Sequence, residues 1–227
     1  MNQKQTGMVK RIGIILLLLA VMVNVQAQKE WTLKLDKENI KVYTKTQENS
    51  NLKAIKVSCE LNTTLSKLTA VVMDANAGTE WVYSTKSSTV LKQISPSELI
   101  YHSEVSLPWP FSNRDFVAHL IARQDPATKV VTIDGPVEPH YIAEKKGVVR
   151  VEKSFGRWII TPKGTNLVHL DYTLEADPGG SIPAWLVNMF VTKGPFETFK
   201  KLKDQLNKSK YASVKLPFIT EWSHPNR

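Results

Sequence analysis

Residues 177–206 read DPGGSIPAWLVNMFVTKGPFETFKKLKDQL, and this stretch sets the terms for everything before it. After two glycines, Ile182, Leu186, Met189, Phe196, Phe199, Leu202 and Leu206 recur at spacings of three, four or seven, which puts them on one face of a long helix. Ser181 suits the N-cap and Pro183 the first turn, where a missing N–H costs little. Gly194-Pro195 interrupts the stripe and predicts a kink, because Pro195 cannot donate backward and crowds the preceding turn. At about 1.5 Å per residue such a helix reaches roughly 40 Å, enough to cross a small domain. So long an oily face needs a sheet to lie on. By pattern alone the helix caps a core; the other reading makes it the wall or lid of a cavity.

The preceding chain supplies the sheet. Residues 31–35 and 40–46 read as strands around an Asp-Lys-Glu-Asn turn, and 52–61 as a third, with Ile55, Val57 and Cys59 on one face. Leu65, Leu68, Val71 and Val72 then change the period to that of a short helix with a Thr or Asn cap, ending by Gly78, and a second short helix or turn carries Trp81. Beyond Ser88 the chain is mostly strand. Leu99, Tyr101, Ser103, Val105 and Leu107 share one face, with His102 and Glu104 opposite; Phe116, Ala118, Leu120 and Ala122 share another, with His119 and Arg123 opposite. Pro108-Trp109-Pro110 between them is a corner that cannot sit inside a central strand. Residues 124–128 read as a turn and 129–134 as a strand. Strands at 148–153 and 157–161 are expected to be separated by a turn at Phe155-Gly156. The last strand alternates most cleanly, Val168, Leu170, Tyr172 and Leu174 against His169, Asp171, Thr173 and Glu175. Short connections imply an antiparallel sheet with one dry face, covered by the terminal helix: an α+β architecture, with two short helices in the N-terminal third.

Residues 1–27 read as a signal peptide. Lys4, Lys10 and Arg11 precede an apolar run over 12–23, and Val25-Gln26-Ala27 offers small residues for cleavage. The run is short for a comfortable membrane span, an uncleaved anchor being the alternative. Cleavage near Ala27 predicts an exported chain, periplasmic or secreted, with one domain over 28–208 and a tail over 209–227. Removing three basic residues leaves 27 basic against 21 acidic, a net +6. The lysines are scattered, and export argues against a nucleic-acid partner; a transient contact with a membrane surface fits the charge better. A single cysteine, Cys59, allows no disulfide within the chain and reads as a buried apolar residue. A monomer is expected.

Patterns of catalysis are missing. The chain has no G-x-S-x-G elbow, no glycine-rich phosphate loop, no H-E-x-x-H and no paired cysteines, and nothing calls for a cofactor or a metal. His169 and Asp171 fall on the wet face of their strand and read as a solvated pair, as do Glu104 and Arg123 as surface residues.

Three motifs in order, PWPFSNRDFV at 108–117, KGVVRVE at 146–152 and DPGGSIPAWLVN at 177–188, together with Trp81, resemble the START (StAR-related lipid-transfer) domain family, most closely its phosphatidylcholine-transfer-like branch. The resemblance runs over about 31–206. It implies a helix-grip fold, a curved antiparallel sheet and a C-terminal helix enclosing a tunnel for a lipid or other hydrophobic small molecule, bound without catalysis. It thereby favours the cavity-wall reading of the terminal helix. On the register above, Leu99, Tyr101, Ser103, Val105, Phe116, Ala118, Leu120, Val168, Leu170, Tyr172 and Leu174 would face the ligand, with Trp185, Leu186, Met189 and Phe196 from the helix. The mouth would be framed by residues 124–128 and the Gly179-Gly180 hinge. The sequence departs from the family where phospholipid headgroups are recognised: the matching positions hold Gly78, Val82, Ser103, Phe116 and Ser154, so only an aromatic survives. The acid–arginine pair of sterol binders is replaced by Ser103 and Leu120. Alternatives of other classes are a cyclase-like enzyme, which would need an acid or base facing inward, and a sensor docking a partner through the tail.

Overall fold

The computed structural model describes residues 31–46, 53–180 and 182–223. The expected signal peptide and the Ser181 cap lie outside the described residues.

Ten strands form one sheet. They are β1 Thr32–Lys37, β2 Ile40–Thr46, β3 Lys53–Leu61, β4 Thr85–Ser95, β5 Glu98–Val105, β6 Asn113–Gln124, β7 Val131–Pro136, β8 Val148–Arg150, β9 Lys153–Gly164 and β10 Leu167–Asp177. The order is β1-β2-β3-β10-β9-β7-β6-β5-β4, antiparallel throughout except that the short β8 runs parallel beside β6. Glu38 and Asn39 close the first hairpin in the left-handed region, which a short polar side chain such as asparagine tolerates well. Register shifts interrupt the β4–β5 and β1–β2 ladders, and such bulges add twist and bend to a sheet already curved by its strands. The expected turn at Phe155-Gly156 does not exist: β9 runs straight through, Phe155 pairing with Glu175 and Gly156 with Leu174. Glycine resembles a break in sequence, but here it leaves room, since a Cβ on Gly156 would stand 3.7 Å from the Tyr172 hydroxyl.

Helix α1, Leu65–Met73, starts where Thr64 Oγ1 accepts from Lys67 N–H at 3.2 Å, and α2, Gly78–Trp81, carries Trp81 inward. The terminal helix has three parts: α3 Ala184–Asn188, a π-turn Met189–Lys193, and α4 Gly194–Leu206. The expected break at Gly194-Pro195 takes the form of that π-turn. Gly194 N–H donates to Met189 O, five residues back, and Pro195 sits in the first turn of α4, where its missing donor matters least. A Cβ on Gly194 would meet Tyr83 Cδ1 at 3.0 Å, so a larger residue there would have to displace that ring. The π-turn adds a residue to one turn and so rotates the stripe: Leu186 ahead of it and Phe190 and Val191 within it line the space under the sheet, and Phe199, Leu202 and Leu206 behind it are buried.

The tail folds back over the domain. Tyr211 is buried, Phe218 and Ile219 pack on the core, and Glu221 accepts from the N–H groups of Leu65 and Ser66 at 3.0 and 2.8 Å, satisfying two of the donors that open α1. Gln124 exchanges two hydrogen bonds with the backbone of Thr220. The hairpin at 124–128, expected to frame a mouth, anchors the tail, and none of its residues lines the cavity between sheet and helix. Among the described residues no helix is long and apolar enough to cross a membrane.

Candidate functional site

The concave face of the sheet and the terminal helix meet at one end and part at the other. In the gap lies a cavity of about 370 Å³, walled by β3, β5, β6, β7, β9 and β10, by α2 and the loop after it, and by the front of the terminal helix. This lies within the roughly 300–1,000 Å³ of pockets that hold a small ligand. Its floor is aromatic: Trp158 stacks on Phe199 at 5.5 Å and lies 4.3 Å from Tyr172 between centroids, with Trp81 edge-on at 6.2 Å. Tyr101 meets Phe116 edge to face at 5.7 Å on the opposite wall. Burial among these apolar groups pushes the Tyr101 hydroxyl up to about 12 and moves Tyr172 the same way, so both stay neutral donors at any ordinary pH. The indole N–H of Trp81 is buried with no acceptor among the described residues.

Of the residues expected to face a ligand, Tyr101, Ser103, Val105, Phe116, Ala118, Leu120, Tyr172, Leu174 and Leu186 line the cavity. Six do not. Leu99, Val168, Leu170 and Phe196 share the correct face but lie at the end where sheet and helix are in contact, and all four are sealed into the core. Met189 is turned off the wall by the π-turn, which brings Phe190 and Val191 in its place. Trp185 points outward, 56% exposed, with its ring edge-on to Phe111 at 6.1 Å, because it stands next to the inward Leu186 and so on another side of the helix.

Two charged residues on the wall went unread. Asp74, at the end of α1, is bound from outside by Tyr211 Oη at 2.8 Å and Lys210 Nζ at 2.9 Å. Arg114 is two residues ahead of Phe116 in β6 and therefore on its face, a signal the alternation carried and the neighbouring PWP corner obscured. Glu104 corrects a third reading. It is buried on the outer face, held by Lys86 and Lys145 at 2.8 Å each and by Asn113 at 2.7 Å, and these hydrogen bonds hold its pKa at about 2. Beside it, Asp115 accepts from Arg150 Nε and Nη2 and meets His102 Nε2, each at 2.9 Å, with both members of the ion pair buried. His169 and Asp171 are 3.3 Å apart and partly exposed, as their strand face predicts.

The START domain profile matches residues 20–211. The chain belongs to the START domain family. It is 32% identical over 186 residues to an uncharacterized Pseudomonas aeruginosa protein, covering 79% of this chain and 88% of the other. It is 29% identical over 170 residues to the bovine phosphatidylcholine transfer protein, covering 72% and 78%. Among solved structures, a STAR-related lipid transfer protein fragment from Xanthomonas axonopodis superposes with a TM-score of 0.71 at 34% identity, covering 78% of this chain and 99% of that one. The START fold expected from the three motifs is thus the fold observed. The five positions that the resemblance matches to headgroup recognition, Gly78, Val82, Ser103, Phe116 and Ser154, all stand on the cavity wall, as does Leu120. The family is one of lipid binding and transfer, and the one carboxylate among the described residues on this wall, Asp74, is hydrogen-bonded to Tyr211 and Lys210.

Proposed function

We propose that this START domain holds a lipid or other hydrophobic small molecule in the cavity and carries or senses it, without catalysis. The observation that carries the reading is the apolar hollow between a fully formed sheet and its covering helix, built from Tyr101, Phe116, Leu120, Trp158, Leu174 and Leu186. Each methylene moved from water into such a space gains about 0.8 kcal/mol, so a long acyl chain gains on the order of 10 kcal/mol. A stacked choline cage is not supported, because four of the five headgroup positions lack the side chains. Export after cleavage near Ala27, with 28–208 as the working domain, belongs to the same reading, and so does a transient contact with a membrane surface as a monomer. Trp109, 91% exposed, and Trp185 beside Phe111 support that contact, since indoles favour the membrane interface.

Native mass spectrometry of the protein purified from its own host, followed by solvent extraction, tests the proposal. The expected result is a bound species with at least one long apolar portion. Ala118→Phe, which fills the hollow from β6, should remove it while the protein stays folded. A chain that emerges empty, takes up no lipid and behaves identically with Ala118→Phe would overturn the reading.

A further inference from the structure

Four arginines lie among the described residues. Arg123, Arg150 and Arg157 each have a carboxylate partner, at 3.7, 2.9 and 2.6 Å. Arg114 has none, and it is the one on the cavity wall, 7% exposed and the only cation among the residues that line it. Its Nε donates to Pro178 O at 3.2 Å, Nη1 to Ser112 O at 2.6 Å and Nη2 to Gly179 O at 3.0 Å. A guanidinium has five N–H donors and does not deprotonate in proteins, so two donors and a whole charge remain unanswered among the described residues.

The acid next to it in β6 and the acid that opens the turn below it both have other partners. Asp115 turns to the other face, toward Arg150 and His102, and Asp177 Oδ1 accepts the Gly179 N–H. The contrast shows in the electrostatics: burial lowers the Arg114 pKa, whereas the bond to Asp115 raises that of Arg150. Carbonyl dipoles soften a buried cation without neutralising it, and an unpaired buried charge is costly. Two of the three carbonyls that hold it come from the Asp177–Gly180 turn, where Gly179 and Gly180 adopt φ of +69° and +65° and bring the backbone against the guanidinium. The cation is thus fixed at the edge of an oily space, with a cost that an incoming anion would relieve.

We propose that Arg114 receives the anionic end, a carboxylate or a phosphate, of a ligand whose apolar remainder fills the cavity. The proposal rests on the carrier reading and narrows it to anionic amphiphiles. The family's headgroup arginine and the sterol-type pair fall at other positions, which here hold Gly78, Val82, Ser103 and Leu120, so the charge enters from a different wall.

Calorimetric titration of the full chain with hexadecanoate, hexadecyl phosphate and hexadecanol, which share a tail, separates the head from the chain. Both anions should bind about tenfold or more tightly than the alcohol, the range of a charge-assisted hydrogen bond. Arg114→Gln should shrink that preference to about threefold or less, within the span of a neutral hydrogen bond, and leave hexadecanol unchanged. Inorganic phosphate alone should not match hexadecyl phosphate. Equal binding of all three probes by the unaltered protein overturns the anion site and leaves the carrier reading standing. An equal loss for all three with Arg114→Gln reduces Arg114 to a clamp on the turn and overturns it too. Binding of none overturns both readings. The comparison of the three probes does not depend on the variant folding.

Discussion

Along β10, Val168 and Leu170 are sealed into the core with Leu202 and Leu206, while Tyr172, Leu174 and Ala176 on the same face border open space. β5 changes in the same way between Leu99 and Tyr101, and β3 between Val57 and Ile55. One end of the grip is therefore filled and the other hollow, with no change of strand, face or residue class between them. The difference lies in what holds each end. The filled end has apolar contact across the sheet–helix interface, plus the tail over α1. The hollow end lacks that contact, and every charged side chain buried among the described residues, Glu104, Arg114, Asp115 and Arg150, is found there. Apolar packing and a network of fixed charges serve the same structural purpose at opposite ends of one sheet.

Breaking the charged network should have the largest effect. Asp115→Ala leaves Arg150 buried without its partner and should cost about 3–5 kcal/mol in urea unfolding. A loss below 1 kcal/mol would show that the hollow end is held by something else. The filled and hollow ends can then be compared on a single strand. Leu170→Ala should cost about 2–5 kcal/mol, as for a fully enclosed leucine, and Leu174→Ala under about 1 kcal/mol, because its neighbours already face space. Equal costs would erase the distinction. Glu104 gives a smaller effect than Asp115 or Leu170 and a pH signature. Its pKa falls from the ordinary 4.5 to about 2, so its stabilisation is complete above pH 4.5 and is lost as pH drops from 4.5 toward 2. Glu104→Gln should cost about 1–2 kcal/mol at pH 7, with the partner lysines half exposed, and flatten that acid limb of the stability curve.

Most of the fold was legible because alternation and helical period are local. The three faces read from β5, β6 and β10 are the faces observed, and the Thr64 cap and the 38–39 turn follow from the residues at those positions. The site was legible as a face and not as a volume. Leu99 and Tyr101 are indistinguishable by period, and which of them touches the helix depends on where the sheet bends away, a property of ten strands together. The π-turn was beyond any fixed period, which is why Met189 was placed on a wall occupied by Phe190 and Val191. Buried charges were the hardest. Glu104 and Asp115 alternate like surface residues, and only the loop carrying Lys145 and the short β8 carrying Arg150 turn them into interior ones.

The aromatic floor, where Trp158 and Trp81 meet Phe199 and Tyr172, has a practical corollary. Of the six tryptophans, two border the interior while Trp109 and Trp185 stand in solvent, so with Trp31 and Trp222 replaced by phenylalanine intrinsic emission carries separate messages from inside and outside the same molecule. Occupancy would be read as a change in the dry pair, and contact with a surface as a blue shift of the wet pair. With no dye attached, the protein is its own gauge.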